Sequence, residues 1–294
     1  MQILVAGGDG FIGAPLCTEL ANRGHEVTAL SRNPPEDPLP EGVEHATGDV
    51  TAYDSIAPVV DGHDGVVNLV ALSPLFRPRG GEEQHFEVHL EGTRNLVEAA
   101  EEGGADRFLQ QSALGADPEG KTHYIRAKGQ AEEVVRDADL DWTITRPSVV
   151  FGEGGEFVKF TKLLAPPYVT PLPGAGKTRF QPIHVDDLVP MLTDATENEE
   201  HIGETYDIGG PEKLTMAQVA ELGHRADGRS VNVLPVPMAL SKLGLSALDY
   251  LPGFPFGSDQ YRSLEMDNTV EDNDVTEFGV SEDELTTLSE FLGV

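Results

Sequence analysis

Across the first half of the chain, short apolar runs alternate with longer segments in which apolar residues return every three or four positions. The runs from Ile3 to Ala6, Val27 to Leu30, Gly65 to Val70, Phe108 to Gln111 and Trp142 to Thr145 are short and show little polar alternation, which predicts strands buried on both faces. Phe11 to Asn22, Glu83 to Glu101 and Tyr124 to Arg136 show the spacing of helices with one apolar stripe. Strands separated by helices predict an α/β fold with a parallel, doubly wound sheet and right-handed crossovers.

After about residue 150 the rhythm breaks. Gly152, Gly154, Gly155, Pro166, Pro167, Pro171, Pro173, Gly174 and Gly176 mark loops. The segment His184 to Leu188 opens another helix, with Asp186 or Asp187 suited to cap it. Thr205 to Ile208 reads as a strand, and Thr215 to Ala226 as a helix capped by Thr215. Residues 231–256 hold one Lys and one Asp in an otherwise apolar stretch. Three readings are open for it: packing within a smaller C-terminal lobe, a lid over an apolar substrate, or a peripheral docking patch for a membrane-bound partner.

Charge changes the picture. The 294 residues include 51 Asp plus Glu against 20 Lys plus Arg, a net charge of −31. The carboxylates are spread along the chain, which points to a halophilic surface kept hydrated in a salt-rich cell interior. No basic stripe is present to displace counterions from phosphates, so a nucleic-acid partner is not expected. The single cysteine, Cys17, permits no internal disulfide and sits among apolar neighbours as a core residue. The chain opens directly on the Ile3 run, and no stretch approaches ~20 unbroken apolar residues. No signal peptide and no membrane span are expected, and the location expected is cytoplasmic.

Gly7-Gly8-Asp9-Gly10-Phe11-Ile12-Gly13 follows the first strand and opens a helix. Gly7 suits the tight turn, Gly10 lets backbone amides approach a pyrophosphate, and Gly13 permits close helix–strand packing. The amides of Phe11 and Ile12 lie at the positive end of the helix dipole. This pattern predicts a Rossmann-type dinucleotide-binding domain over residues 1–150, with 178–210 returning to it, and a smaller α/β lobe over 151–294. The second strand ends in Leu30-Ser31-Arg32-Asn33, without the carboxylate that would accept a ribose 2′-hydroxyl. Arg32 suits a 2′-phosphate and Ser31 can add a hydroxyl, so NADP(H) is preferred and NAD(H) stays open. Asp49 and Val50, after a third strand, are placed to meet adenine, and Asp49 reads equally well as an ordinary loop acid.

Tyr124 and Lys128 are four residues apart, on one face of a helix. A nearby ammonium, aided by an oxidised nicotinamide, lowers a phenol's pKa toward that of a useful proton shuttle. Ser112 closes the strand Phe108 to Gln111 and can hydrogen-bond a carbonyl where charge develops.

Here the chain resembles the short-chain dehydrogenase/reductases, in their extended and atypical branches. The matching stretches are VAGGDGFIG (5–13), HLEGTRNLVEAA (89–100), FLQQSALGA (108–116), YIRAK (124–128), TRPSVVFGEG (145–154), HVDDL (184–188) and YDIGGPEKLTMAQVA (206–220). The subgroup it most resembles contains the nucleotide-binding accessory subunit of respiratory complex I, and SDQYRSLEMDNTVED (258–272) is similar to that subgroup too. The resemblance implies a triad of Ser112, Tyr124 and Lys128: Tyr124 as acid/base, Lys128 holding the nicotinamide ribose, Ser112 orienting substrate. It places Leu69, Val70 and Ala71 beside the cofactor, and Pro147, Ser148 and Val149 against the nicotinamide.

One departure is His89, where the family often has an Asn of its proton relay; a local hydrogen bond within a helix is the competing reading. Arg77 and Arg79 fit either an anionic substrate group or ordinary loop cations, solvated or paired with neighbouring carboxylates. His184 with Asp186 or Asp187 is read as structural, and no metal site is expected.

The expected function is an NADP(H)-dependent oxidoreductase or sugar-nucleotide-epimerase-like enzyme, acting on a small-molecule carbonyl or sugar-nucleotide substrate. The rival is a non-catalytic accessory subunit of a respiratory assembly. An isomerase or dehydratase that keeps its dinucleotide through turnover is a third reading, and by analogy a homodimer is plausible.

Overall fold

The computed structural model describes residues 1–35, 39–236 and 257–294. The chain forms two compact units, one of residues 1–72, 83–146 and 188–206, the other of 73–82, 147–187 and 207–294.

In the first unit, β1 (Gln2–Ala6) leads through α1 (Gly13–Asn22) to β2 (Glu26–Ser31) and then β3 (Val43–Thr47). The chain returns through α2 (Tyr53–Val60) to β4 (Gly65–Asn68), on the other side of β1. There follow α3 (Gly92–Gly103), β5 (Arg107–Gln111), α4 (His123–Arg136) and β6 (Asp141–Pro147). The seventh strand of the sheet, β11 (Thr205–Ile208), lies beside β6. The order is β11-β6-β5-β4-β1-β2-β3, and the pairings from β3 to β6 are parallel, with Ile3 opposite both Val27 and Gly65.

A parallel sheet is covered on both faces, which is why β1 reads as an unbroken apolar run: Ile3, Leu4, Val5 and Ala6 are fully buried. One layer of the core joins Leu4, Leu30, Ile56, Val60, Val66, Leu96, Ala100, Phe108, Val135 and Ile144. Cys17 belongs to the interior, and burial pushes its thiol up to about 12, leaving it an inert filler.

Two differences from the sequence reading have physical causes. The helix expected over 83–101 is interrupted by a wide π-helical turn at Phe86–Glu91 before α3 begins. Such a turn holds one extra residue per hydrogen bond and shifts the side chains that follow. Helix α2 gave no recognisable stripe, because its eight residues include Pro58 and only Ile56 and Val60 are buried.

The second unit is built from β7 (Val150–Phe151), α5 (Phe157–Leu164), β8 (Thr170–Pro173), β9 (Arg179–Phe180), β10 (Ile183–His184), β12 (Leu214–Thr215), α7 (Met216–Ala226) and β13 (Val233–Val236). Short helices α8 (Ser258–Ser263) and α9 (Leu288–Leu292) complete it. Three two-stranded ladders, β10-β7, β12-β9 and β13-β8, frame a core containing Phe151, Phe157, Leu172, Phe180, Met216, Val219 and Leu288. Thr215 caps α7 as expected, in a reciprocal box with Gln218. Asp186 and Asp187 are not caps: α6 (Val185–Glu197) already contains both in its first turn. The Asp186 N–H instead donates to His184 Nδ1, and the Asp187 carboxylate accepts from the Thr286 N–H at 2.7 Å. Of the apolar 231–256 stretch, only β13 and the two residues before it are described; 237–256 lie outside the described residues. Among the described residues no helix is long and apolar enough to cross a membrane.

Helix α4 is pinned to β6 by a buried charge. Glu132, 1% exposed, accepts from Arg146 Nε at 2.8 Å and Nη2 at 2.5 Å, and from Arg136 at 2.9 Å. Removing one partner of such a group leaves a charge in a poorly polarisable interior. Arg146→Leu is expected to lower the unfolding free energy by about 3–5 kcal/mol. Adding Glu132→Leu to it recovers much of the loss, as read from urea denaturation of the three proteins.

Candidate active site

The glycine loop sits at the C-terminal end of β1, where the chain order reverses between β1 and β4. In open parallel sheets that crevice is where ligands bind. Gly7 has φ +82°, a backbone region costly for other residues, and its N–H donates to the Leu30 carbonyl at 2.8 Å. A Cβ on Gly13 would stand 2.0 Å from the Gly7 carbonyl oxygen. Only glycine lets α1 start so close to the strand end. No side chain caps α1 and no acidic residue lies in its first turn. The amides around Phe11, Ile12 and Gly13 are therefore open to an anion, and the cradle fits a diphosphate.

One neighbouring loop closes on this point. The backbone of Leu69 and Val70, just past β4, lies 3.4 to 3.5 Å from where a Gly7 Cβ would be. Val70 N–H donates to Asn68 Oδ1, Leu69 is buried and Ala71 is exposed. After β3, the Asp49 carboxylate accepts from both the N–H and the hydroxyl of Thr51, and the carbonyl of buried Val50 accepts from Asn95. Asp49 thus shapes its own turn.

At the end of β2, Arg32 is exposed and no described residue pairs with its guanidinium. Ser31 donates its hydroxyl proton to the Asn33 carbonyl at 2.7 Å, and His45 Nε2 lies 3.0 Å from the same oxygen. His45 was not legible as a site residue. β3 is a half-exposed edge strand without an apolar run, so nothing in the sequence marked its register against β2.

Lys128 reaches the end of β5 beside Ser112, and Tyr124 precedes Lys128 by one turn of α4. Thr122 caps α4 by accepting from the Ile125 N–H. A Cβ on Gly129 would fall 2.3 Å from the Asp117 carbonyl carbon, so glycine there lets α4 press onto the preceding loop. Lys128, 2% exposed, donates from Nζ to the Gln111 carbonyl at 2.9 Å. Burial lowers its ammonium to about 8, while Glu132 one turn on pulls the other way. The next residue, Ser112, is 3% exposed; its N–H donates to the Thr145 carbonyl, and among the described residues its hydroxyl has no hydrogen-bond partner. Gln111 Oε1 and Thr145 Oγ1 are unpartnered as well, on residues opposite one another in the β5–β6 ladder.

The half-buried Tyr124 ring meets the rings of His85 and His89 edge to face, with centroids 5.6 and 5.2 Å away. Burial raises the phenol above its ordinary range. In the protein by itself desolvation therefore outweighs the lowering expected from a nearby cation. His89 sits in the π-helical turn, 2% exposed, but its bond is not local to that turn. Its Nε2 accepts from the Leu72 N–H at 2.8 Å, which leaves the proton on Nδ1, an atom without a partner among the described residues. Burial, Lys128 and His85 together hold its pKa well below the usual histidine value, so the ring is neutral and ties the loop after β4 to the turn beside Tyr124.

Pro147, Ser148 and Val149 belong to the second unit. The Ser148 hydroxyl is held by Asn268, 2.6 Å from Oδ1, and the Val149 N–H donates to the same oxygen at 3.1 Å. Arg77, in that unit, lies 3.9 Å from Glu82.

With the geometry in hand, known proteins can be compared. A profile of the NAD(P)H-binding family matches residues 7–162. Subunit 9 of the alpha subcomplex of mitochondrial NADH dehydrogenase from Arabidopsis thaliana is 29% identical over 287 residues, covering 92% of this chain and 71% of that protein. A 3-diazoavenalumate denitrifying reductase from a Streptomyces species is 31% identical over 226 residues, covering 68% of this chain and 73% of its own length. Among solved structures, a nucleoside-diphosphate-sugar epimerase from Staphylococcus aureus superposes with a TM-score of 0.75 at 19% identity, with all of both chains covered. The glycine cradle, the seven-stranded sheet and these matches agree: the chain belongs to the NAD(P)H-binding family, within the extended short-chain dehydrogenase/reductases.

Proposed function

We propose that this protein is an NADP(H)-dependent oxidoreductase or epimerase-like enzyme that moves a hydride at a carbonyl or alcohol carbon. The observation that carries the reading is the hydroxyl of Ser112, buried without a partner among the described residues, one residue from the carbonyl that binds Lys128 Nζ. Leaving a buried polar group unpaired costs about 1–3 kcal/mol. A hydroxyl held this way at a strand end, beside an ammonium, is reserved for a ligand.

When bound, the dinucleotide supplies or accepts the hydride. The glycine loop amides of residues 11–13 would hold its diphosphate, Arg32 would read the adenosine end, and the Lys128 ammonium, now on the Gln111 carbonyl, would serve ribose hydroxyls. Ser112 donates to the substrate oxygen. Tyr124 passes a proton to or from that oxygen, and with its phenol pushed up by burial it rests in the protonated form. That is the form needed to protonate an oxygen as charge builds on it, so the resting site is set for reduction. The carbonyl substrate class follows from this chemistry, and sugar nucleotides enter through the fold shared with the epimerase.

A second reading has its own support. Because 92% of the chain aligns with a respiratory-chain subunit, the dinucleotide can instead be a resident structural group. Incubating the NADPH-loaded protein with a panel of ketones, aldehydes and sugar nucleotides and following nicotinamide absorbance separates the two. Oxidation of the coenzyme is expected with at least one class; none with any would favour the accessory role.

Variants sharpen the expectation. Tyr124→Phe lowers turnover about 10²–10⁴-fold with little change in coenzyme affinity. Ser112→Ala lowers turnover but leaves the unliganded protein as stable as before or up to ~1 kcal/mol more so, since it removes an unpaired polar atom.

Lys128 gives a pH signature. Its ammonium titrates at about 8 in the folded chain against 10.5 ordinarily, so folding disfavours the charged form. The cost is full below about pH 8 and fades as pH climbs to the unfolded value. Lys128→Met is therefore expected to raise stability at pH 7 by on the order of 3 kcal/mol. That gain should shrink steadily above pH 8 in melting curves across pH, while hydride transfer is lost.

A further inference from the structure

The end of β2 carries a short chain of polar groups that the diphosphate cradle does not need. Ser31, 9% exposed, spends its proton on the Asn33 carbonyl at 2.7 Å, yet a second bond of 3.0 Å links its oxygen to His45 Nε2. A hydroxyl has one proton to give, so His45 supplies the proton of the second bond. His45 is half-buried on β3 opposite Ala29, and it reaches along the ladder toward the terminus of β2. Arg32 follows Ser31 directly. Among the described residues neither Arg32 nor His45 is paired with a carboxylate. In a chain with 51 acidic residues, an imidazole N–H held by a neutral hydroxyl at the turn that carries Arg32 suits an anion from outside.

We propose that His45 is a specificity-determining residue: its Nε2–H, parked on Ser31, joins the Arg32 guanidinium in recognising a phosphate on the 2′ position of the adenosine ribose. The inference rests on the NADP(H) reading and deepens it. The present acceptor of that N–H is a neutral oxygen. Exchanging it for a phosphate oxygen makes the bond charge-assisted, roughly twice as strong as a neutral one. An unphosphorylated ribose presents a hydroxyl, which gains nothing comparable from either group. Ser31 keeps its bond to Asn33 throughout, holding the turn from which Arg32 extends. Its part is then to shape the turn, and the anion is read by the histidine and the arginine.

Calorimetric titration with adenosine 2′,5′-bisphosphate and with AMP tests this without any turnover. The wild type is expected to bind the bisphosphate more tightly. His45→Leu should cut that advantage about tenfold while leaving AMP affinity alone, and His45→Gln, which keeps an N–H donor, should restore part of it. An unchanged ratio in His45→Leu, or equal weakening of both nucleotides, overturns the proposal. A wild type blind to the extra phosphate would instead bring down the NADP(H) reading itself, so the two failures are separable. Should the leucine variant not fold, the imidazole resonances of His45 in the wild type decide. They should move on adding bisphosphate and stay put with AMP; movement with neither overturns the assignment.

Discussion

The site depends on one steric contact: the start of α1 pressed against the carbonyl of Gly7, with no room for a single methyl group between them. Because Gly13 has no side chain, the helix begins directly over the end of β1, and its open amides face the crevice where the sheet order reverses. The loop after β4 then lies on Gly7, and His89 takes the Leu72 N–H from that loop into the π-helical turn. The glycine turn and the cluster around Tyr124 are thus joined through three short approaches, each requiring a small residue or a neutral ring.

Around β5 the chemistry is set by scarcity of water. Lys128, Tyr124 and His89 all show shifts led by desolvation, and each in the direction of the uncharged form. A neutral imidazole, a protonated phenol and a weakened ammonium form a poised rather than a stable arrangement. Glu132, itself neutralised by Arg146 and Arg136, opposes the loss of charge at Lys128 from one turn away.

Much of this was legible along the chain. β1 announces itself as an unbroken apolar run, β5 and β6 by the short runs around Phe108-Leu109 and Trp142 to Thr145, and α4 by the stripe of Ala127, Ala131 and Val135. The spacing of Gly7 and Gly13 maps onto the close start of α1, and Tyr124 and Lys128 fall one turn apart on α4. The readings that fell short needed tertiary information. His45 depends on the register of an edge strand with no apolar pattern. The partner of His89 is a backbone amide seventeen residues away, and the π-helical turn has no compositional mark. Asp187 looked like a cap because its role, accepting from Thr286, depends on a segment ninety-nine residues distant.

The discontinuity of the first unit has a consequence for biosynthesis. β11, the last strand of its sheet, comes from residues 205–208, whereas β6 ends at residue 147. Until the intervening sixty or so residues have left the ribosome, β6 is an uncovered edge, with the carbonyls and amides that later meet Gly203 and Glu204 exposed. Pairing over such a separation is slow, and the nascent chain must protect that edge meanwhile. Arg146, within β6, and Arg136, at the end of α4, are both joined to Glu132 and place fixed charge at the waiting strand. The same ion cluster that secures the mature helix can therefore discourage a growing chain from pairing with its neighbour.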